Sequence, residues 1–148
     1  MLYTDNCRYG YTSLDQVKQV VASYAAASIP LDTQWMDIDY MQNYRDFTTD
    51  SVNFPIAQMG AFVDGLHASG MHFVPITDPG IMVYDKGYDA YDQGIKSDVF
   101  IKDLAGGYYM SQVWPGPTYM PDFFHPAAQV SMYFNCFTYT CWFCTLLL

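Results

Sequence analysis

Basic residues are scarce in this chain. It contains 6 lysines and arginines against 15 acidic residues, which gives a formal net charge of -9. No segment concentrates basic side chains, and proteins that bind nucleic acid depend on such clusters to neutralise phosphates. We therefore expect no nucleic-acid partner.

Signals of export are also missing. Residues 1–6 contain neither a basic segment nor an apolar one, and no Asn-x-Ser/Thr sequon occurs in the chain. We expect no secretory signal in the chain as given. Localisation and oligomeric state stay open.

Cysteines are few and unevenly placed. Cys7 stands alone, while Cys136, Cys141 and Cys144 lie close together near the C-terminus. This distribution does not fit a disulfide framework. The pair Cys141 and Cys144 has no neighbouring histidine, as a closed zinc site would need, and lacks the strand and helix context of a redox site. We expect no metal and no cofactor.

What the chain does have is apolar and aromatic residues, arranged in alternating helical and extended patterns. Its 148 residues are 51% hydrophobic and 18% aromatic, which indicates one globular domain. Ser13 and Gln16 form a capping box, in which the Ser13 hydroxyl takes the N3 amide and Gln16 reaches back to the Ser13 backbone. Apolar residues follow at helical spacing and stop before Pro30. An apolar extended run, 31–38, comes next.

A second cycle of helix and strand follows. Pro55 suits a first helical turn, and Gly70 is well placed to end the helix. The predicted apolar face of this helix consists of Ile56, Met59, Phe62, Val63 and Leu66. Residues 71–77 then predict another strand, although Pro75 removes one possible ladder donor. Two such units indicate an α/β fold with a parallel sheet, either a barrel or an open sheet.

Acidic residues follow both predicted strands. Alternation along 34–41 places Trp35, Asp37 and Asp39 on one face, with Met36 and Ile38 on the other. A carboxylate there can accept hydrogen bonds from sugar hydroxyls while an indole covers the C–H side of the ring. The alternative is an aspartate pair that caps the next turn beside a core tryptophan. Residues 79–121 are predicted to be a long loop with little regular structure.

The end of the chain differs in composition. Residues 123–148 contain no Asp, Glu, Lys or Arg. From Ser131 onward the composition is apolar and aromatic, but this run is slightly short and too polar for a membrane span and has no flanking basic residue, so we do not expect a membrane partner, although an anchor stays an alternative. A shifted reading frame or an unspliced intron explains the change better. The expected division is therefore 1–126 as the folded part and 127–148 as a divergent apolar tail.

Four segments, taken together, resemble glycoside hydrolase family 31, the group of lysosomal α-glucosidase, maltase-glucoamylase and sucrase-isomaltase. These segments, which lie between about Cys7 and Pro126, are Cys-Arg-Tyr-Gly-Tyr at 7–11, Trp-Met-Asp-Ile-Asp-Tyr-Met at 35–41 with Arg-Asp-Phe at 45–47, Pro-Ile-Thr-Asp-Pro-Gly-Ile at 75–81, and Val-Trp-Pro-Gly at 113–116 with Pro-Asp-Phe at 121–123. The resemblance implies the first three strands and two to three helices of a (β/α)8 TIM barrel. It also implies retaining hydrolysis of O-glycosyl bonds in an α-glucoside or malto-oligosaccharide.

The resemblance also implies roles for individual residues. Asp37, with Ile38 beside it, would bind hydroxyls of the terminal sugar, and Tyr9, Ile76 and Trp114 match positions that line the same subsite. Asp78 and Asp39 are expected to support the pocket, and Arg45 and Asp46 to form structural contacts. Tyr9 and Ile76 have a plain alternative as core residues. Among the histidines, His67 is expected to end a helix, His72 to lie in the core and His125 to lie in a turn, so none is expected to act as a general base.

The groups that cleave the glycosidic bond are not expected in this chain. Retaining cleavage needs two carboxyl groups about 5 to 5.5 Å apart. In this family the nucleophile belongs to a Trp-x-Asp-Met-Asn-Glu motif on the fourth strand, and no such motif occurs here. We therefore assign no catalytic residue and expect an inactive fragment, or alternatively a non-catalytic carbohydrate-binding remnant. With only the first three strands, the first incomplete at 2–6, open sheet edges should make the product aggregation-prone.

Overall fold

A computed structural model describes residues 5–84 and 87–129. The start of the first predicted strand and the apolar tail from residue 130 onward, with three of the cysteines, lie outside the described residues. The chain divides into two compact units. In the described residues, the first unit comprises 5–42 and 48–76, and the second comprises 43–47, 77–84 and 87–129.

The first unit is built on a parallel sheet. Its elements are β1 Asp5–Asn6, α1 Leu14–Ala26, β2 Thr33–Met36, α2 Ile56–Ala68 and β3 His72–Pro75, and the strand order is β1-β2-β3. Both strand pairs are parallel. Two short 3-10 segments, Ile38–Tyr40 and Gln42–Tyr44, follow β2. The alternation of helix and parallel strand that the sequence predicts is confirmed.

Helix α1 begins where the capping box places it. The Ser13 hydroxyl accepts a hydrogen bond from the Gln16 amide at 3.3 Å. The second half of the box differs from the prediction, because the Gln16 side-chain oxygen accepts from the Thr12 amide at 2.8 Å rather than from Ser13. Gln16 therefore satisfies the amide of Thr12, one residue before the predicted donor Ser13, and the start of the helix is unchanged.

Helix α2 ends as predicted, but its apolar face is narrower. Gly70 has a φ of 76°, and its amide donates to the carbonyl of His67 at 2.9 Å, which closes the last turn. Met59, Val63 and Leu66 are buried. Ile56, which the sequence places on the same apolar face, is 39% exposed. It is the first helical residue, where the chain has only begun to pack.

Pro75 fits the end of β3 without the loss of a bond to β2. It is the last residue of the strand and lies opposite Met36. The amides of His72 and Ile76 donate to the carbonyls of Asp32 and Met36 at 2.7 and 2.9 Å. Bonds to β2 therefore come from the even-numbered residues, and the nitrogen of Pro75 faces away from that strand. Both predicted strands, 31–38 and 71–77, are longer than β2 and β3.

A single apolar cluster forms the core of the first unit. It packs α1 and α2 against the side chains of the parallel sheet. Its buried members are Tyr11, Leu14, Val17, Met36, Ile38, Tyr40, Met41, Phe54, Met59, Val63, Leu66 and Phe73. Along β2 and its exit, burial alternates as predicted, with Met36 and Ile38 inside and Trp35, Asp37 and Asp39 half-buried.

The second unit shows that one prediction was wrong. Instead of a loop with little regular structure, residues 79–121 contain β4 Ile81–Met82, α3 Asp89–Lys96, β5 Met110–Val113 and β6 Gly116–Tyr119. The strands form an antiparallel sheet of order β4-β6-β5. Aromatic rings hold it together, for instance Tyr108 and Tyr119 with centroids 5.2 Å apart and Phe100 and Tyr119 with centroids 5.5 Å apart. Among the described residues, none of the helices combines the length and apolar character that a membrane crossing would require.

Candidate functional site

Asp37 lies at the carboxyl end of β2, where the chain leaves the parallel sheet. It caps the 3-10 turn Ile38–Tyr40, because its Oδ1 atom accepts a hydrogen bond from the Ile38 amide at 2.8 Å. Within the described parts of the chain, no hydrogen bond reaches its Oδ2 atom. The side chain is half-buried. One carboxylate oxygen is thus fixed by the backbone, and the other can accept a hydrogen bond from a ligand.

Strand alternation places Asp39 beside Asp37 as a second ligand for a sugar, but its carboxyl group makes an intramolecular contact instead. It lies in the 3-10 turn and not on the strand, which ends at Met36. Its Oδ2 atom accepts a hydrogen bond from the Gly10 amide at 2.8 Å, across 29 residues of sequence. The loop after β1 is therefore joined to the loop after β2.

The apolar residues proposed for the subsite have contrasting exposure. Tyr9 is 59% exposed, so its alternative as a core residue is wrong. Ile38 is 4% exposed and belongs to the core of the first unit. Ile76 is half-buried and packs against that core, and its carbonyl accepts a hydrogen bond from the Tyr40 hydroxyl at 2.7 Å.

A buried polar network beneath the strand exits was not predicted. The Asn6 side-chain amide donates to Gln34 Oε1 at 2.9 Å, and the Tyr11 hydroxyl donates to Asn6 Oδ1 at 3.1 Å. Gln34 is fully buried, and its Nε2 atom donates to the Trp35 carbonyl at 2.8 Å. The signal that could have revealed this network is Gln34 itself, a polar residue that faces the same side as Met36 in an apolar run.

In the second unit, Asp46 and Asp78 are linked through the backbone. The Asp46 carboxyl group is buried, with 1% of the residue exposed, and its Oδ1 atom accepts from the Asp78 amide at 2.7 Å. The Tyr88 hydroxyl donates to the Asp46 carbonyl at 2.9 Å. Arg45 lies with its guanidinium 4.8 Å from the Tyr84 ring centre and 5.5 Å from that of Tyr88. Arg45 and Asp46 thus make intramolecular contacts that hold the segment after β3.

The environment of Asp46 alters its acidity. Burial raises the pKa of this carboxyl group from 3.8 to about 7, and the hydrogen bond from the Asp78 amide opposes the rise. The negative charge of Asp78 raises the pKa further. A substantial part of the Asp46 population is therefore protonated near neutral pH.

Trp114 lies at the tip of the hairpin formed by β5 and β6. It occupies the turn between Val113 and Gly116, which are paired, and Gly116 has a φ of 110°. The Trp114 side chain is 73% exposed. An indole held on a short turn presents a large apolar face to solvent, which suits contact with a ligand.

In the described residues, the histidines and Cys7 are not arranged as the ligands of a metal ion. His67 lies in the last turn of α2 and His125 in a turn, as predicted, but His72 is exposed on β3 and was wrongly expected in the core. Its place on the edge of the described sheet explains the exposure. Cys7 is exposed with a free thiol. In residues 5–84 and 87–129, no group of three or more His, Cys, Asp or Glu side chains is arranged to hold a metal ion.

Comparisons with known proteins point to one family. The family description "Glycosyl hydrolases family 31 TIM-barrel domain" matches residues 3–141. A probable alpha-glucosidase of Oryza sativa subsp. japonica is 51% identical over 122 residues, which are 82% of this chain and 14% of the rice protein. Alpha-xylosidase 1 of Arabidopsis thaliana is 45% identical over 120 residues, 81% of this chain and 13% of that protein.

A solved structure shows the same fold. The crystal structure of glucosidase II alpha subunit in a Glc1Man2-bound form superposes with a TM-score of 0.83 at 30% identity, and covers 95% of this chain and 15% of that one. The chain therefore corresponds to a small part of each relative, and its three parallel strands form part of a barrel. This chain belongs to glycoside hydrolase family 31 and represents part of the family's TIM-barrel domain.

Proposed function

We propose that this chain carries part of the terminal-sugar subsite of an α-glucosidase-type retaining hydrolase. In this form it would hold an α-glucoside or malto-oligosaccharide without cleaving it. The observation that carries the proposal is the geometry of Asp37 at the carboxyl end of β2, with one oxygen fixed by the Ile38 amide and the other available. Ligands bind at this end of the strands in barrels of this class.

The other residues take complementary tasks in the proposal. Tyr9 and Trp114, both largely exposed, supply aromatic faces for the C–H side of sugar rings. Ile76 adds an apolar edge, and Ile38 contributes mainly through the amide that orients Asp37. Asp39 supports the loop that bears Tyr9 through the Gly10 amide, and Asp78 supports the segment after β3 through the hydrogen bond from its amide to Asp46.

The absence of cleavage follows from the carboxyl groups. A retaining mechanism needs a nucleophile and an acid/base that face the same bond. The nucleophile motif of the family does not occur in these 148 residues. Asp37 is committed to a turn, and Asp46 is buried, so neither is placed in a catalytic role. Hydrolysis is proposed only for a protein that also contains the missing motif.

Titration of the chain with maltose, measured by calorimetry, tests this proposal. We expect saturable binding by the unaltered chain, a loss of at least about tenfold in affinity for Asp37→Ala, and no release of glucose. Asp64→Ala is the matched control, because Asp64 is an exposed aspartate on α2. Binding that survives Asp37→Ala, or glucose release at an enzymic rate, would overturn the proposal.

The same titration addresses the substrate class. The likeness to alpha-xylosidase 1 favours an α-xyloside as the second candidate ligand. Methyl α-xyloside is therefore titrated in parallel with methyl α-glucoside. Tighter binding of the xyloside would move the proposal to that sugar while Asp37 keeps its role.

A further inference from the structure

The loop between β1 and α1 is anchored at three successive residues but leaves one aromatic side chain outside. The Thr12 amide donates to Gln16 Oε1, and the Tyr11 ring is buried with its hydroxyl on Asn6. The Gly10 amide donates to Asp39 Oδ2 at 2.8 Å. Tyr9, directly before these anchors, is 59% exposed. The backbone that carries Tyr9 is therefore held at the three residues that follow it.

The Gly10 backbone adopts a conformation that suits this contact. Its φ is 104°, a region that L side chains rarely adopt, and a Cβ atom built there would meet nothing within 4 Å. The glycine is required by the backbone angle and not by lack of space. That angle lets the Gly10 amide meet a carboxylate contributed by another loop.

Of these three hydrogen bonds, only the one between Gly10 and Asp39 involves the loop after β2. The Thr12 and Tyr11 contacts lie within the segment of β1 and α1. The Asp39 contact joins residues 29 apart in sequence, and its acceptor is a carboxyl oxygen at 2.8 Å from the Gly10 nitrogen. Asp39 is also two residues after Asp37, in the same 3-10 turn.

We propose that Asp39 is a positioning residue that fixes Tyr9 relative to Asp37 through the Gly10 amide and thereby sets the affinity of the subsite for the sugar ring. The inference rests on the proposed function, in which Tyr9 and Asp37 both contact the ligand. Asp39 itself does not touch the sugar. Its carboxylate acts by removing freedom from the loop that carries Tyr9.

Binding measurements with matched variants test the effect on affinity. For maltose, we expect Asp39→Ala to weaken affinity about tenfold, which corresponds to ~1.4 kcal/mol, and Asp39→Asn to stay within about threefold because the amide oxygen still accepts from Gly10. Asp64→Ala should have no effect. In a Tyr9→Ala background, Asp39→Ala should cause no further loss, since the tether then has nothing to position. Additive losses, or equal losses in the Ala and Asn variants, would overturn the proposal.

Hydrogen exchange of the Gly10 amide, followed by NMR, separates this inference from the proposed function. We expect exchange to accelerate by about tenfold in Asp39→Ala and to stay close to that of the unaltered chain in Asp39→Asn. Unchanged exchange in Asp39→Ala would refute the tether whatever the sugar does. A second outcome is that Asp39→Ala loses protection of the Gly10 amide while the unaltered chain does not bind maltose. That outcome would refute the subsite and the effect of Asp39 on affinity, and only the hydrogen bond between Asp39 and Gly10 would be supported.

Discussion

Replacement of Asp46 by asparagine should change how stability depends on pH. Asp46 is buried, and burial raises the pKa of its carboxyl group to about 7. Asparagine has nearly the same shape and keeps an oxygen that can accept the hydrogen bond from the Asp78 amide. The substitution therefore removes the titration and preserves the contact.

The sign of the effect follows from proton binding. Between about pH 4 and pH 7 the folded chain keeps a proton on Asp46, whereas the unfolded chain, with a pKa near 3.8, has released it. Stability should therefore fall as the pH rises through this range. Each pKa unit corresponds to about 1.36 kcal/mol, so the rise from 3.8 to about 7 corresponds to roughly 4 kcal/mol in the free energy of unfolding. Below pH 4 the penalty is absent, and above pH 7 it is complete.

Urea unfolding at several pH values between 4 and 8, followed by circular dichroism, measures this dependence. We expect the unaltered chain to become less stable toward pH 8, and Asp46→Asn to show a much flatter profile and greater stability at pH 8. Asp64→Asn, at an exposed position, is the control and should keep the original slope. The reasoning would be refuted if Asp46→Asn retained that slope, or if the stability of the unaltered chain rose between pH 5 and 7.

Two other carboxyl groups with shifted pKa values affect stability in a different pH range. The amide of Asn53 lowers the pKa of Asp50, and the hydrogen bond from Lys102 lowers the pKa of Asp98. A group with a lowered folded pKa contributes stability above its unfolded pKa and loses it as the pH falls through the folded value. Both groups therefore act below about pH 4. The slope between pH 5 and 7 should report on Asp46.

Three further predictions concern packing and the open sheet. Gly94→Ala should lower the free energy of unfolding by about 1–3 kcal/mol in urea, because the new Cβ would overlap the Phe100 ring. The control is Gly60→Ala in α2, where a new Cβ would meet nothing within 4 Å, so this variant should be neutral or stabilising. Equal losses in the two variants would contradict this reasoning. Tyr88→Phe should cost about 0.5–1.5 kcal/mol in the same assay, because the buried hydroxyl donates to the Asp46 carbonyl; no loss would contradict that role. In size-exclusion chromatography a fraction of the purified chain should elute as aggregates beside the monomer used in the other assays, since the described parallel sheet has only three strands, and elution as a compact monomer alone would count against this.

The helices and parallel strands could be predicted because each is marked by a local pattern. The capping residue Ser13 and the helix-ending Gly70 depend only on the backbone of their own turns. Alternation along β2 reports the burial of Met36 correctly because one face of the strand packs on the core. Strand length was predicted less well, since apolar composition continues after the backbone leaves the sheet.

The antiparallel sheet of the second unit could not be predicted from such patterns. Strands of two to four residues are too short to show a period, and Tyr, Gly and Pro are common in loops as well. The sheet is held by contacts between aromatic rings distant in sequence, such as Tyr91 and Tyr119 with centroids 6.2 Å apart. Pro115 and Gly116 carry a turn signal, but without recognisable strands on either side this signal does not indicate a hairpin.

The division of tasks between Asp37 and Asp39 shows where sequence reasoning ends. In a strand the two side chains would share a face and would be interchangeable ligands for a sugar. The chain instead enters a 3-10 turn after Asp37, with three residues per turn, and the Asp39 carboxyl group accepts a hydrogen bond from the Gly10 amide. The Asp-Ile-Asp pattern therefore marks the proposed site. The turn that follows it determines that one carboxylate keeps an available oxygen, while the other joins two loops.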